Sequence, residues 1–272
     1  MRIEIMDTTL RDGEQTSGVS FSAHEKLSLA KILLTNVKVD RLEVASARVS
    51  EGEFECVKAI TSWAKENDQL DTIEVLGFVD GKVSVDWITK AGGRVINLLA
   101  KGSQRHVELQ LRKTPEEHLS DISELIAYAD SQNVDVNIYL EDWSNGMINS
   151  PDYVYFMVDG LKDTSIKRFM LPDTLGILNP DQAYDFCHEM VTRYPDLRFD
   201  FHAHNDYDLA AANVYSAVKA KVHGIHATVN GMGERAGNVP LSSVIGVIHD
   251  QLKQTTNLDE SFVNKVSRIV ET

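Results

Sequence analysis

Two histidines two residues apart, His202 and His204, end a run of strand type in this 272-residue chain. Side chains on a strand repeat every second residue, so both imidazoles face the same way. That pair is half of a metal site, because neutral imidazole is the commonest metal ligand. Oxygen donors must come from other loops, and Asp12 offers a carboxylate while Asn238 adds an amide oxygen. Nitrogen and oxygen donors without thiolate leave the ion open among Zn²⁺, Mn²⁺, Mg²⁺ and Co²⁺. The other candidates for such a role, His24, His106, His188, His223, His226 and His249, read as ordinary core or surface residues.

Four further features carry two readings each. Arg11, just before Asp12, is either half of an ion pair or a fork for a carboxylate or developing alkoxide. Glu141 follows an apolar strand and is either a proton-transfer group in a partly enclosed mouth or a salt-bridge partner of an arginine such as Arg11. Asp173 and Thr174 either cap a turn or, through the threonine hydroxyl, bind a substrate carboxylate. The glycine-rich segment from Asn230 to Asn238 either shapes a metal site or cradles a phosphate on backbone N–H groups.

These residues need a scaffold that gathers them. Short β-type runs at 3–6, 41–45, 72–76, 95–99, 134–140, 168–171, 198–202 and 224–229 alternate with helical stretches starting near Ala23, Glu51, Ser84, Pro115, Ser150, Pro180, Leu209 and Pro240. Strict alternation of this kind predicts a parallel sheet, and eight units predict an α/β fold of the closed (β/α)8 TIM-barrel type. An open doubly wound sheet would usually place a glycine fingerprint after the first strand, where Asp7-Thr8-Thr9-Leu10-Arg11-Asp12-Gly13 stands instead. In a barrel the reacting groups lie at the C-terminal strand ends, and every candidate above falls there.

Composition narrows the function classes. Acidic residues outnumber basic ones 41 to 27, for a formal charge of −14, which argues against a non-specific nucleic-acid binder. No apolar run reaches the roughly 18 residues of a spanning helix, so a membrane role is not expected. Cys56 and Cys187 lack a second cysteine at metal or redox spacing and read as reduced packing residues of a cytoplasmic protein. Residues 1–254 are expected to form the barrel; a fresh amphipathic pattern within 255–272 (Phe262, Val263, Val266, Ile269, Val270) marks the start of a C-terminal accessory region of a longer enzyme.

The run from Asp7 through Arg11-Asp12-Gly13 to Gln15, then Leu171-Pro172-Asp173-Thr174-Leu175-Gly176, His202-Ala203-His204-Asn205-Asp206 and Asn230 to Asn238 together resemble the 2-isopropylmalate, citramalate and homocitrate synthase family. The resemblance implies one divalent metal on Asp12, His202, His204 and Asn238, and condensation of acetyl-CoA with a 2-keto acid. In that scheme Arg11 polarises the keto oxygen, Thr174 holds the carboxylate, and Glu141 moves protons or orients the metal's ligands. Related hydroxymethylglutaryl-CoA lyases usually carry a cysteine in the loop after strand eight, where this chain has Met232 and Glu234, which favours the synthase direction.

Substrate choice follows from the same resemblance. Segments 73–81, 97–103 and 139–146 look most like citramalate synthases, with Leu76, Leu99 and Tyr139 enclosing the methyl group of pyruvate; isopropylmalate synthases admit 2-ketoisovalerate there. Full-length members are homodimers whose accessory helices supply a histidine to the partner subunit's site, followed by a regulatory domain, and this sequence stops before either. Outside the family, the competing classes are a phosphate-binding barrel enzyme and a barrel kept only as a binding module.

Overall fold

The computed structural model describes residues 2–271. Eight parallel strands close in sequence order: β1 (Glu4–Asp7), β2 (Arg41–Ser46), β3 (Ile73–Phe78), β4 (Val95–Lys101), β5 (Asp135–Glu141), β6 (Arg168–Asp173), β7 (Phe199–Ala203) and β8 (Gly224–Ala227). Closure is direct, since Met6 on β1 stands in register with His226 on β8 and Asp7 with Ala227. The expected TIM barrel is therefore the observed fold.

Helices α1 (Ala23–Ile32), α2 (Glu51–Glu66), α3 (Val83–Lys90), α4 (Gln104–His106), α5 (Pro115–Ser131), α6 (Trp143–Asn149), α7 (Pro151–Leu161), α8 (Pro180–Arg193), α9 (Ala210–Lys219), α10 (Leu241–Ile245) and α11 (Glu260–Val270) surround the strands. Their starts follow local chemistry. Ser22 with Glu25, Thr114 with Glu117 and Asn179 with Gln182 form capping boxes, and Pro115 and Pro180 occupy first turns where no N–H is needed. The helix expected from Ser150 is preceded by the short α6, the two divided at Ser150 just before Pro151.

The apolar core lies between strands and helices, where alternate strand residues such as Val44, Val75, Leu98, Ile138, Leu171 and Phe201 are buried. The barrel's inside is different. Towards its N-terminal end, Arg41 pairs with Glu74 and Asp200, and Arg168 pairs with Glu4 and Asp200. Buried charges persist only when paired, so this ring of opposite charges fills space that aliphatic side chains usually fill. Gly224 is part of the fit, because a Cβ there would lie 2.5 Å from Asp200 Oδ1.

Strand β8 ends at Ala227 rather than continuing to 229, because Val229–Gly231 turns sharply with Asn230 at φ 57°. Helix α11 docks beside that turn: Val263 and Val266 are buried, and Asn230 Nδ2 donates to Ser267 O at 3.0 Å. Among the described residues, no helix is long and apolar enough to cross a membrane.

Candidate metal centre and active-site pocket

After β1 the chain makes a tight turn in which Thr8 O accepts from the backbone N–H of Arg11, Asp12 and Gly13 at 3.2, 2.9 and 3.1 Å. This turn brings Asp12 next to His202 on β7 and His204 just beyond it. His202 Nε2 lies 3.2 Å from Asp12 Oδ2 and 3.2 Å from His204 Nε2, and His204 Nε2 lies 4.0 Å from Asp12 Oδ2. All three residues are buried.

The arrangement fits a divalent ion. Donors about 2.0–2.1 Å from one metal stand roughly 3–4 Å from one another, the spacing seen here. Burial, then the neighbouring His202, pushes the His204 imidazole down to about 3, so it is neutral at ordinary pH and has a lone pair to give. Burial alone would raise the Asp12 carboxyl, but Arg11 and the two imidazoles outweigh it and hold the group well below the usual carboxylate range. Asp12 Oδ1 and Asn238 Oδ1 are buried without hydrogen-bond partners, which a native interior rarely tolerates unless something else is coordinated.

Asn238 reaches this position through the loop after β8. Its backbone bridges His204, its N–H donates to Gly231 O at 3.0 Å, and its side-chain NH₂ donates to Met232 O at 2.9 Å. The amide oxygen is thereby turned away from the loop. Gly237 adopts φ +84°, and a Cβ there would lie 2.0 Å from Gly231 O, so only glycine closes this loop. The N–H groups of Gly231, Met232, Gly233, Gly237 and Asn238 all donate within the protein, to acceptors including Thr16 Oγ1, which leaves the segment poorly equipped to cradle a phosphate.

Arg11 lies beside the triad but is not simply paired with its neighbour. Its Nε donates to Glu43 Oε2 at 2.6 Å, while its NH1 is 3.5 Å from Asp12 Oδ2. Glu43 also accepts from Thr8 Oγ1 at 2.7 Å and from Asn97 Nδ2 at 2.8 Å. Glu141 forms its ion pair with Lys101 on the adjacent strand rather than with Arg11. Asp173 caps the turn after β6 by accepting from Ile177 and Leu178 N–H at 3.0 and 3.1 Å. Thr174 Oγ1 accepts from Asp142 N–H at 2.8 Å, which leaves the hydroxyl hydrogen to donate elsewhere.

Above the triad opens a cavity of about 380 Å³ whose walls include Arg11, Leu76, Leu99, Tyr139, Glu141 and Thr174. Leu76, Leu99 and Tyr139 form one apolar cluster with Met6 and Met170 inside the barrel. Of the residues singled out from sequence, Asp12, His202 and His204 also line this cavity, while Asn238 lies beside it through its backbone bridge to His204. A larger cavity, about 640 Å³, lies nearby around Ser103, His106, Asn145 and Leu175 but contains none of the metal-ligand candidates, so size does not identify the reacting site.

Two groups escaped the sequence reading. Glu43 orients Arg11, and the only sequence signal was a charge inside the apolar strand β2. His226, read as an ordinary core residue, is indeed buried, but it joins Tyr139 to Asp200 directly beneath the pocket. Burial pushes its imidazole down to about 4.

The HMGL-like family model matches residues 2–270. A 2-isopropylmalate synthase of Sulfolobus acidocaldarius is 33% identical over 99% of this chain and 68% of its own length. A protein of Methanopyrus kandleri assigned as an (R)-citramalate synthase is 32% identical over 99% of this chain and 51% of its own. The chain thus spans between about half and two-thirds of the length of the curated relatives it matches. Among solved structures, a hydroxymethylglutaryl-CoA lyase from Pseudomonas aeruginosa superposes with a TM-score of 0.83 at 17% identity, covering 100% of this chain and 94% of that one, a likeness of fold.

Proposed function

The chain belongs to the HMGL-like family, and on that premise we propose that it condenses acetyl-CoA with a short 2-keto acid, pyruvate being the acceptor and citramalate the product. The observation that carries the reading is the convergence of Asp12, His202 and His204 on one point beside Arg11, at the edge of a small apolar pocket. In the reaction the acetyl methyl carbon loses a proton and adds to the keto carbon, the keto oxygen becomes an alcohol, and water cleaves the thioester to release CoA.

Each residue has a part that its surroundings suit. A divalent ion held by Asp12, His202, His204 and Asn238 would polarise the acceptor oxygens when bound. Arg11, oriented by Glu43, donates to the oxygen on which negative charge develops. Thr174 donates its free hydroxyl hydrogen to the acceptor's carboxylate. Leu76, Leu99 and Tyr139 enclose the acceptor's methyl group, and bulk here rejects longer side chains by overpacking. Glu141, at the rim with Lys101, serves proton movement.

The same reading assigns residues 1–254 to the catalytic domain and 255–272 to the start of an accessory region, in a cytoplasmic homodimer whose further parts complete the site. A second reading, 2-isopropylmalate synthase with 2-ketoisovalerate as acceptor, is supported by relatives of that name at equal similarity. Metal analysis with acetyl-CoA-dependent thiol release tests both. Release with pyruvate supports the first, a more than tenfold preference for 2-ketoisovalerate replaces it with the second, and metal-independent turnover of a sugar phosphate overturns the condensation chemistry.

A further inference from the structure

The floor of the pocket is held from below by a chain of three buried side chains. Tyr139 projects from β5 across the barrel, and its hydroxyl lies 3.1 Å from His226 Nδ1 on β8. His226 Nε2 lies 3.4 Å from Asp200 Oδ2 on β7, and Asp200 is itself fixed by Arg41 and Arg168. A carboxylate only accepts, so the Nε2 of His226 is the N–H donor and Nδ1 the acceptor. The Tyr139 hydroxyl must then donate to Nδ1, and every hydrogen bond in the chain has one direction.

The anchoring matters because of what the ring faces. Tyr139 is buried, yet it contributes to the wall of the open cavity. Met6, Leu76 and Met170 pack with the ring, His202 stands edge-on at 6.0 Å between centroids and Arg11 lies 5.9 Å from it, but none of these contacts grips the hydroxyl at its far end. The hydrogen bond to His226 does. A phenylalanine would fill the same volume, whereas a tyrosine tied to a histidine and an ion-paired aspartate holds one ring position.

We infer that His226 is a positioning residue for acceptor selection: by accepting the Tyr139 hydroxyl it keeps the phenol ring as a rigid floor and so sets the length of side chain the pocket admits. The inference rests on the proposed function in one respect, that the pocket takes the side chain of a 2-keto acid.

The test compares the parent chain with Tyr139→Phe, His226→Gln and the double variant, each loaded with Mn²⁺, by calorimetric binding of pyruvate and of 2-ketoisovalerate. Either single substitution is expected to move the ratio of dissociation constants towards the branched acid by about tenfold, the lower end of what one methylene's worth of space discriminates. The double variant is expected to move it no further than either single one, because both remove one coupling. Equal weakening of both acids in His226→Gln, an unchanged ratio, or effects that multiply in the double variant would overturn the inference, since a merely structural histidine gives one of these. His226→Asn carries the same comparison if His226→Gln does not fold. If the parent binds neither acid, the functional reading fails on its own account. The Tyr139 hydroxyl proton then decides the anchor: a slowly exchanging resonance that is lost in the His226 variant supports it, and fast exchange with water in the parent refutes it.

Discussion

Replacing Glu43 by Gln should cost stability out of proportion to the two atoms exchanged. The carboxylate is fully buried and takes hydrogen bonds from Arg11 Nε at 2.6 Å, Thr8 Oγ1 at 2.7 Å and Asn97 Nδ2 at 2.8 Å. Glutamine preserves the volume and at most part of this acceptance, but it leaves the Arg11 guanidinium buried without its main counter-charge. Breaking a buried pair from one side costs about 3–5 kcal/mol, and the lower figure applies here because Asp12 remains 3.5 Å from Arg11 as a second partner. Urea unfolding should show a lower midpoint with an unchanged slope, the signature of lost stability rather than an altered native state. The effect has a pH dependence of known sign. Burial would raise the Glu43 carboxyl, but Arg11 and the hydrogen bonds hold it below its ordinary value. Its contribution is therefore fully present above the unfolded carboxyl pKa of about 4.3 and disappears as pH falls through the lower folded value. Parent and variant curves should converge only in that acid range. A loss under about 1 kcal/mol at neutral pH, or convergence on the alkaline side, would show that Arg11 is not held by this pair.

Three further outcomes are expected. Asn238→Ala should weaken Mn²⁺ or Zn²⁺ binding, measured by competition with a chromophoric chelator, by at least the roughly 10–100-fold that loss of an outer-shell partner costs; unchanged affinity would remove Asn238 from the site. On the proposed reading, Leu99→Ala should shift acceptor preference from pyruvate towards 2-ketoisovalerate, read from kcat/KM, because it opens the apolar cluster around Tyr139. Gly237→Ala should lower the melting temperature and the metal affinity together, since its Cβ would meet Gly231 O in the loop that presents Asn238; a neutral result would mean the loop has room to move.

Much of this protein was legible because the signals are local. A strand's period of two places His202 and His204 side by side whatever surrounds them, and eight alternations of strand and helix leave a closed barrel as the economical packing. Barrel geometry then sends Arg11, Glu141 and Thr174 to the same mouth, because each lies at or just beyond a strand's C-terminal end. Partner choice was not local. Glu141 pairs with Lys101, one strand over, while Glu43 from β2 pairs with Arg11, and which of these charges meet depends on how β1, β2, β4 and β5 are staggered around the ring.

The inner polar layer shows the same division. Sequence alone marks Arg41, Glu74, Asp200 and His226 as charged or polar residues in apolar strands, and inward alternation follows from the strand period. That His226 meets both Tyr139 and Asp200 was decided only when β8 closed against β1 and β7, in the register that pairs Met6 and His202 with His226. A hydrogen bond needs its two ends within a few tenths of an ångström, and residues 87 positions apart in the chain acquire that separation only through barrel closure.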